Sequence, residues 1–87
     1  MSAAAPREPG EPSAGERLAG QEHRLRLLCA HLAGRAVRAR IELDDLVQEV
    51  FLRALAQPES LPAWEPGEAA LGRFLAQLAR HAVIDVA

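Results

Sequence analysis

The stretch Glu42–Ala56 carries an unbroken helical periodicity, and it constrains the fold of this chain more than any other feature. Apolar side chains recur every three or four residues along its whole length, which places them on one face of an α-helix. Those side chains are Leu43, Leu46, Val47, Val50, Phe51, Ala54 and Leu55. Asp44 and Asp45 fall in the first turn, where carboxylates interact favourably with the helix dipole. The stretch therefore predicts an amphipathic helix that buries its apolar face against other helices.

The opposite face of this predicted helix has an unusual composition. Instead of the common mixture of lysine and glutamate, it combines acids, an amide and one leucine on the water side. Its members are Asp45, Gln48, Glu49, Leu52 and Arg53. Because the core stripe is complete without that leucine, we expect this face to present a surface to a partner.

Two further segments show helical periodicity. The capping-box spacing of Ser13 and Glu16 allows the first helix to begin near Ala14, although Gly20 weakens that early portion. The firmer helix is predicted from Glu16 or Gln21 to about Ala33. Its apolar face consists of Leu18, Leu25, Leu28, Cys29 and Leu32. The last helix is predicted over Glu68–Ala87, with a face formed by Leu71, Phe74, Leu75, Leu78 and Ala82. Gly34 is expected to end the first helix, and Arg35–Arg40 either continues it or forms a basic connector.

Proline and glycine separate these segments. Gln57–Gly67 holds Pro58, Pro62 and Pro66, so it is predicted to be a loop. The same loop carries Trp64, the only tryptophan, which either covers the helical core or forms an exposed aromatic contact. The first alternative is favoured, because a small domain gains much stability from burying an indole. Met1–Gly15 is rich in proline and glycine without apolar periodicity, and we predict a disordered leader there.

The length of 87 residues suits one domain with a small core. Three amphipathic helices and one long loop predict an all-α fold, a compact three-helix bundle over residues 16–87. The last helix reaches Ala87 without a glycine, a proline or a cap. We therefore expect a fragment, a truncated reading frame or a helix whose end frays.

Charge is distributed unevenly although the net charge of −2 makes no general case for binding nucleic acid. His23–Arg40 contains arginines and no acid, and the adjoining Ile41–Glu49 contains acids and no base. The two blocks are either solvated faces that complement each other or two separate binding surfaces. No apolar run is long enough to cross a membrane and no signal peptide is evident, so a cytoplasmic location without membrane insertion is expected.

Catalytic and metal-binding patterns are lacking. His23 and His31 are eight positions apart with no nearby acid, which is poor ligand spacing for zinc. Asp44 and Asp45 are adjacent, so they point about 100° apart on a helix and form no carboxylate dyad. Cys29 lies in an apolar stripe and is predicted to be a core side chain. We expect no enzyme activity, no bound metal and no cofactor.

The residues Asp45–Ala54, with the sequence DLVQEVFLRA, resemble the signature of the second conserved region of bacterial sigma factors. The resemblance is to the extracytoplasmic-function (ECF) group of the sigma-seventy superfamily. A second block lies downstream and is similar to the Trp-Leu, Ala-Arg-Asn, Ile-Asp helix of that family. It comprises Arg73-Phe74-Leu75, Leu78-Ala79-Arg80 and Val83-Ile84-Asp85. Together the blocks cover Arg24–Ala87, and Met1–Gly15 has no counterpart.

This resemblance implies a promoter-specificity subunit of RNA polymerase. In the family, the helix matching Glu42–Ala56 docks through its outer residues on a coiled coil of the largest polymerase subunit. Carried over to this chain, the polymerase-binding residues are Asp45, Gln48, Glu49, Leu52 and Arg53. Acids and an amide suit a coiled coil that carries arginines, and the leucine adds apolar area at the centre.

The last helix and the loop before it resemble the part of the family that melts and reads the minus-ten promoter element. That work requires a stacking side chain and cations for phosphates. The residues implied here are Trp64, Arg73, Arg80 and His81. The family usually has Asn at the position of His81, a departure that bears on promoter preference. It usually has Trp at the position of Phe74, where phenylalanine is a conservative core change.

Two family features are missing from the sequence: the basic stretch after the Ile-Asp pair and the helix-turn-helix domain that reads the minus-thirty-five element. With fewer phosphate contacts, weak binding to promoter DNA is expected. An alternative is a truncated decoy that binds polymerase or an anti-sigma factor without reading a promoter.

Overall fold

The computed structural model describes residues 10–86, and these residues contain helices and no strands. The five α-helices are α1 (Ala14–Ala19), α2 (Glu22–Leu32), α3 (Arg35–Arg38), α4 (Leu43–Leu55) and α5 (Ala69–Val86), with a 3₁₀ turn at Pro58–Ser60. The predicted all-α fold is confirmed. The three longest helices, α2, α4 and α5, pack against one another, and α1 and α3 are short additions.

The core lies where α2, α4 and α5 meet. Its largest fully buried side chains are Leu46, Val50, Leu71, Leu75 and Cys29. All five belong to the apolar stripes that the periodicity predicted, and Cys29 is the core side chain expected. Burial raises the pKa of the Cys29 thiol, because the apolar surroundings disfavour the thiolate.

Helix α4 matches the predicted stretch almost to the residue, with Glu42 and Ala56 as its flanking caps. One side chain of the predicted stripe, Leu55, is nevertheless exposed over 49% of its surface. At 100° per residue, Leu55 lies about 110° from the centre of the stripe, so it falls at the edge of the buried face. Phe51 is closer to the centre and is half-buried.

The first predicted helix is two helices with a corner between them. Gly20 ends α1 and Gln21 precedes α2. The predicted capping box is present, since the Ser13 backbone N–H donates to Glu16 Oε1 at 2.9 Å and the Glu16 N–H donates to Ser13 Oγ at 3.1 Å. Helix α1 therefore begins at Ala14, inside the stretch predicted as leader. Residues 1–9 of that prediction lie outside the described residues.

The segment after α2 corrects a second expectation. Helix α2 ends at Leu32, and Gly34 adopts an extended backbone as the N-cap of α3. Arg35–Arg38 thus neither continues α2 nor forms an irregular connector, because it makes a separate turn of helix that buries Val37.

The connector between α4 and α5 reverses direction immediately before α5. Gly67 has φ +85° and Glu68 has φ +51°, and Glu68 is the one non-glycine residue among residues 10–86 with a positive φ. Helix α5 begins one residue later than predicted, at Ala69. Within the described part of the chain, no helix is long and apolar enough to cross a membrane.

Candidate functional site

The exposed stripe of α4 consists of Asp45, Gln48 and Leu52, which fall within about 60° of one another around the helix axis. Leu52 is exposed over 54% of its surface. No hydrogen bond or ion pair within residues 10–86 engages the side chains of Asp45 or Gln48. The structure therefore places three of the five predicted polymerase-binding residues together on one accessible stripe.

The other two predicted residues, Glu49 and Arg53, lie further round α4, toward α5. Arg53 Nε donates to Glu49 Oε2 at 2.8 Å, and a second nitrogen of the same guanidinium lies 2.9 Å from Asp85 Oδ2 on α5. The hydrogen bonds to Glu49 and to Asp85 raise the pKa of Arg53. Arg53 is consequently a fixed cation that ties α4 to α5. The sequence did not predict that Asp85 pairs with Arg53. The one feature that drew attention to Asp85 was its place in the Val83-Ile84-Asp85 block.

Beside this stripe, one ion pair joins the basic and acidic blocks of the sequence. Arg26 on α2 donates to Asp44 in the first turn of α4, and this hydrogen bond raises the pKa of Arg26. Arg24, Arg35 and Arg40 are exposed and make no ion pair within the described residues. The two blocks therefore complement each other at a single pair, and most of the arginines remain available to solvent.

In the connector between α4 and α5, Trp64 is exposed over 39% of its surface. It borders an open cavity of about 330 Å³ together with Arg17, Gln21, Arg24 and Glu68. The favoured prediction, that the indole covers the helical core, is therefore wrong, because Trp64 is exposed and is not among the side chains packed against the core. The indole shares this cavity with the corner between α1 and α2, and much of its surface faces solvent.

The segment that carries Trp64 is held at both ends by one guanidinium. Arg17 Nε donates to Glu68 Oε2 at 2.9 Å, and one Nη donates to Glu68 Oε1 at 2.9 Å and to the Pro62 carbonyl oxygen at 2.6 Å. The hydrogen bonding of Arg17 to the Glu68 carboxylate is the main reason why the pKa of Arg17 is raised. This contact joins α1 to the start of α5.

A second cavity, of about 370 Å³, lies between α2 and α5. Its walls are mostly apolar, and Arg24 and Arg73 contribute its cations. Gln21 and Arg24 line both cavities. Two of the predicted DNA-binding residues, Trp64 and Arg73, therefore lie on either side of Gln21 and Arg24. Sequence reasoning missed Arg24, although it belongs to the basic block.

The remaining predicted residues, Arg80 and His81, are exposed on α5 and line neither cavity. Arg80 follows Arg73 by seven residues, so it lies on nearly the same face, about 10 Å further along the axis. His81 Nε2 lies 3.4 Å from Gln77 Nε2. The four residues accordingly form an extended track rather than one pocket.

Metal binding has no structural support in residues 10–86, where no group of three or more His, Cys, Asp or Glu side chains could hold an ion. The two surfaces differ in chemistry: the stripe on α4 presents an acid, an amide and a leucine, whereas Arg24 and Arg73 line the cavities beside Trp64.

Comparison with known proteins gives one match. A family model described as Sigma-70 region 2 matches residues 22–87. No curated protein and no solved structure matches the chain significantly. The matched segment begins with the first residue of α2, so it includes both exposed surfaces and excludes α1.

Proposed function

The chain belongs to the sigma-70 region 2 family, and on that basis we propose that it works as an ECF-type sigma domain in bacterial transcription initiation. Domains of this family bind core RNA polymerase, recognise the minus-ten promoter element and catalyse no reaction themselves. The proposed work places the chain in the cytoplasm, where polymerase acts. The observation that carries the proposal is the family match over two separately exposed surfaces.

The outer face of α4 is the proposed polymerase-binding surface. Asp45 and Gln48 supply an acid and an amide on the stripe that also exposes Leu52. A coiled coil with arginines would complement the acids, and Leu52 would add apolar area at the centre of the contact. Arg53 is held by Glu49 and Asp85, so it would enter a complex as an already oriented cation. Little side-chain entropy is then lost when it meets an acid of the partner.

The edge formed by α2, α5 and the Trp64 segment is the proposed promoter surface. A half-exposed indole can stack on an unpaired base, and stacking is the usual contact to melted single strands. Arg24 borders a cavity with Trp64 and Arg73 borders another with Arg24, so both would contact the flanking phosphates. Arg80 and His81 would extend this contact along α5. Promoter DNA is therefore proposed as the second partner, on a surface separate from α4.

The polymerase surface is tested with the double variant Gln48→Ala, Leu52→Ala in a quantitative pull-down with the clamp coiled coil of the largest subunit. We expect binding to fall about tenfold, since truncating two central contacts removes roughly 1–2 kcal/mol. Leu27→Ala is the matched control, because Leu27 is a similarly exposed leucine on α2. Equal binding by the double variant and the control would exclude this surface.

A reporter with a minus-ten-dependent promoter separates initiation from the decoy alternative. A sigma domain supports transcription when it is supplied with polymerase. A decoy lowers the output of other sigma factors, through polymerase or an anti-sigma factor, and never supports initiation.

A further inference from the structure

We propose that α1 positions the promoter-reading segment, with Arg17 as the positioning residue that holds Trp64 in place. This inference rests on the proposed function, because it holds that the orientation of the Trp64 indole serves DNA binding. Helix α1 lies outside the matched residues 22–87, so the family match says nothing about this role.

The first observation is the geometry of the contact. A single guanidinium binds both carboxylate oxygens of Glu68 and the carbonyl oxygen of Pro62. Trp64 lies between these two anchor points in the chain. The side chains of Arg17 and Glu68 are only 10% and 13% exposed, so the direct attraction between their charges is screened less by water than in a surface pair. The two ends of the segment are thus held at a fixed separation.

The second observation is the backbone at the far anchor. Glu68 has a positive φ, a conformation that residues other than glycine rarely adopt and that persists only where other contacts hold it. Two hydrogen bonds close the turn next to it, from the Glu68 N–H to the Glu65 carbonyl and from the Ala70 N–H to Glu65 Oε1. A further hydrogen bond, from the Gly72 N–H to the Glu68 carbonyl, ties this turn to α5, and the pair with Arg17 adds a restraint from α1. The direction in which the chain leaves Trp64 therefore depends in part on α1.

The third observation is that α1 is itself well anchored. Its capping box is complete, and Leu18 is buried in the core. Gln21, at the corner with α2, is also buried, and its Oε1 lies 3.5 Å from where a Cβ on Gly72 of α5 would stand. A helix anchored on both sides of Arg17 can transmit a fixed position to the Trp64 segment.

The test uses the full chain and the fact that Trp64 is its only tryptophan. In Arg17→Gln, we expect a red-shifted emission and stronger acrylamide quenching, since the ends of the segment that carries the indole are no longer held to α1. Single-stranded DNA with the minus-ten sequence should bind about five- to tenfold more weakly, the size of a partly lost stacking contact. Binding to the clamp coiled coil should not change. Arg35→Gln, which removes an exposed arginine elsewhere, controls for the loss of charge.

Glu68→Gln is the decisive variant, because charge and positioning predict opposite results. The substitution removes a negative charge, which by itself strengthens binding to a polyanion. If Arg17 positions Trp64 through Glu68, DNA binding weakens and quenching increases. Circular dichroism identifies variants that have lost the fold. Because Glu68→Gln changes only one side-chain atom, it keeps the test valid if Arg17→Gln unfolds.

The outcomes distinguish this inference from the proposed function. If the wild-type chain with polymerase fails to bind minus-ten DNA, the proposed function fails. The proposed role of the Arg17–Glu68 pair in DNA binding then fails with it. If the wild type binds and Glu68→Gln binds equally well or better with unchanged quenching, only the positioning role is overturned. Weaker DNA binding with increased quenching in both variants, and with unchanged binding to the coiled coil, supports it.

Discussion

The two proposed recognition surfaces are built in different ways. The α4 face is displayed by one regular helix, and its stripe of Asp45, Gln48 and Leu52 follows from helix geometry alone. The Trp64 segment is irregular and is held by Arg17, a residue 51 positions away from Glu68 in the chain. The first surface should therefore tolerate changes elsewhere in the molecule, whereas the second should respond to changes in α1. Both depend on the common core.

The largest effect is expected from a substitution that removes the support shared by the two surfaces. Leu75 is fully buried where α5 meets the core, and Leu75→Ala should lower the free energy of unfolding by about 3 kcal/mol, through lost burial and a residual cavity. Urea denaturation measures the change. A domain of this size has little stability to spare, so binding to both partners should fall together.

Leu55→Ala is the matched control for that change. Because Leu55 is exposed, this substitution should lower the free energy of unfolding by less than about 0.5 kcal/mol. A loss of one binding activity with the other intact in Leu75→Ala would show that the surfaces do not share their support.

A smaller effect, confined to one surface, is expected from Trp64→Ala. Removing the indole should weaken binding of single-stranded minus-ten DNA by about 1–3 kcal/mol, the usual contribution of a stacked base. Fluorescence anisotropy of a labelled oligonucleotide measures it, with the coiled-coil pull-down on the same preparation.

Trp64→Phe serves as the control, because a smaller aromatic ring retains part of the stacking. If Trp64→Ala reduced polymerase binding as strongly as DNA binding, the two surfaces would not be separate.

The smallest effect is expected from Ser13→Ala, which removes the N-cap of α1 while leaving Arg17 in place. The loss of one capping hydrogen bond should cost about 0.5–1 kcal/mol of helix stability. If α1 supports the Trp64 segment, hydrogen exchange in α1 and acrylamide quenching of Trp64 should both increase slightly. The α4 face should show no change.

Ser60→Ala, in the exposed 3₁₀ turn, is the corresponding control. Increased quenching in both serine variants would mean that the Trp64 segment responds to general loosening rather than to α1.

The sequence predicted the helices well where local rules decide them. The boundaries of α4, the capping box of α1 and the burial of Cys29 all follow from spacing within one or two helical turns. Gly20 was expected only to weaken the early portion of the first helix, and it proved to be the corner between α1 and α2. The separate turn of α3 was not predicted, because the burial of Val37 in the common core decides it. For Leu55, the periodicity placed an edge position in the core.

The residues of the candidate site also divide into those that local helix geometry predicts and those that depend on the packing of helices. The exposed stripe on α4 was predicted because exposure on a helix follows from angle alone. The contact between Arg53 and Asp85 was not predicted, because Asp85 reaches Arg53 only when α5 packs beside α4. The role of Arg24 at the two cavities was not predicted either, because Arg73 reaches Arg24 only when α5 packs beside α2.

By itself, the sequence determined that this chain forms amphipathic helices, that α4 exposes acids and a leucine, and that the chain carries the motifs of the sigma-70 region 2 family. These properties depend on residues a few positions apart, where backbone geometry relates spacing directly to direction. Only the tertiary structure decided that Arg17 holds both ends of the Trp64 segment and that Arg24 and Arg73 border the cavity between α2 and α5. Such contacts join residues that are distant in the chain, and only the packing of helices brings those residues together.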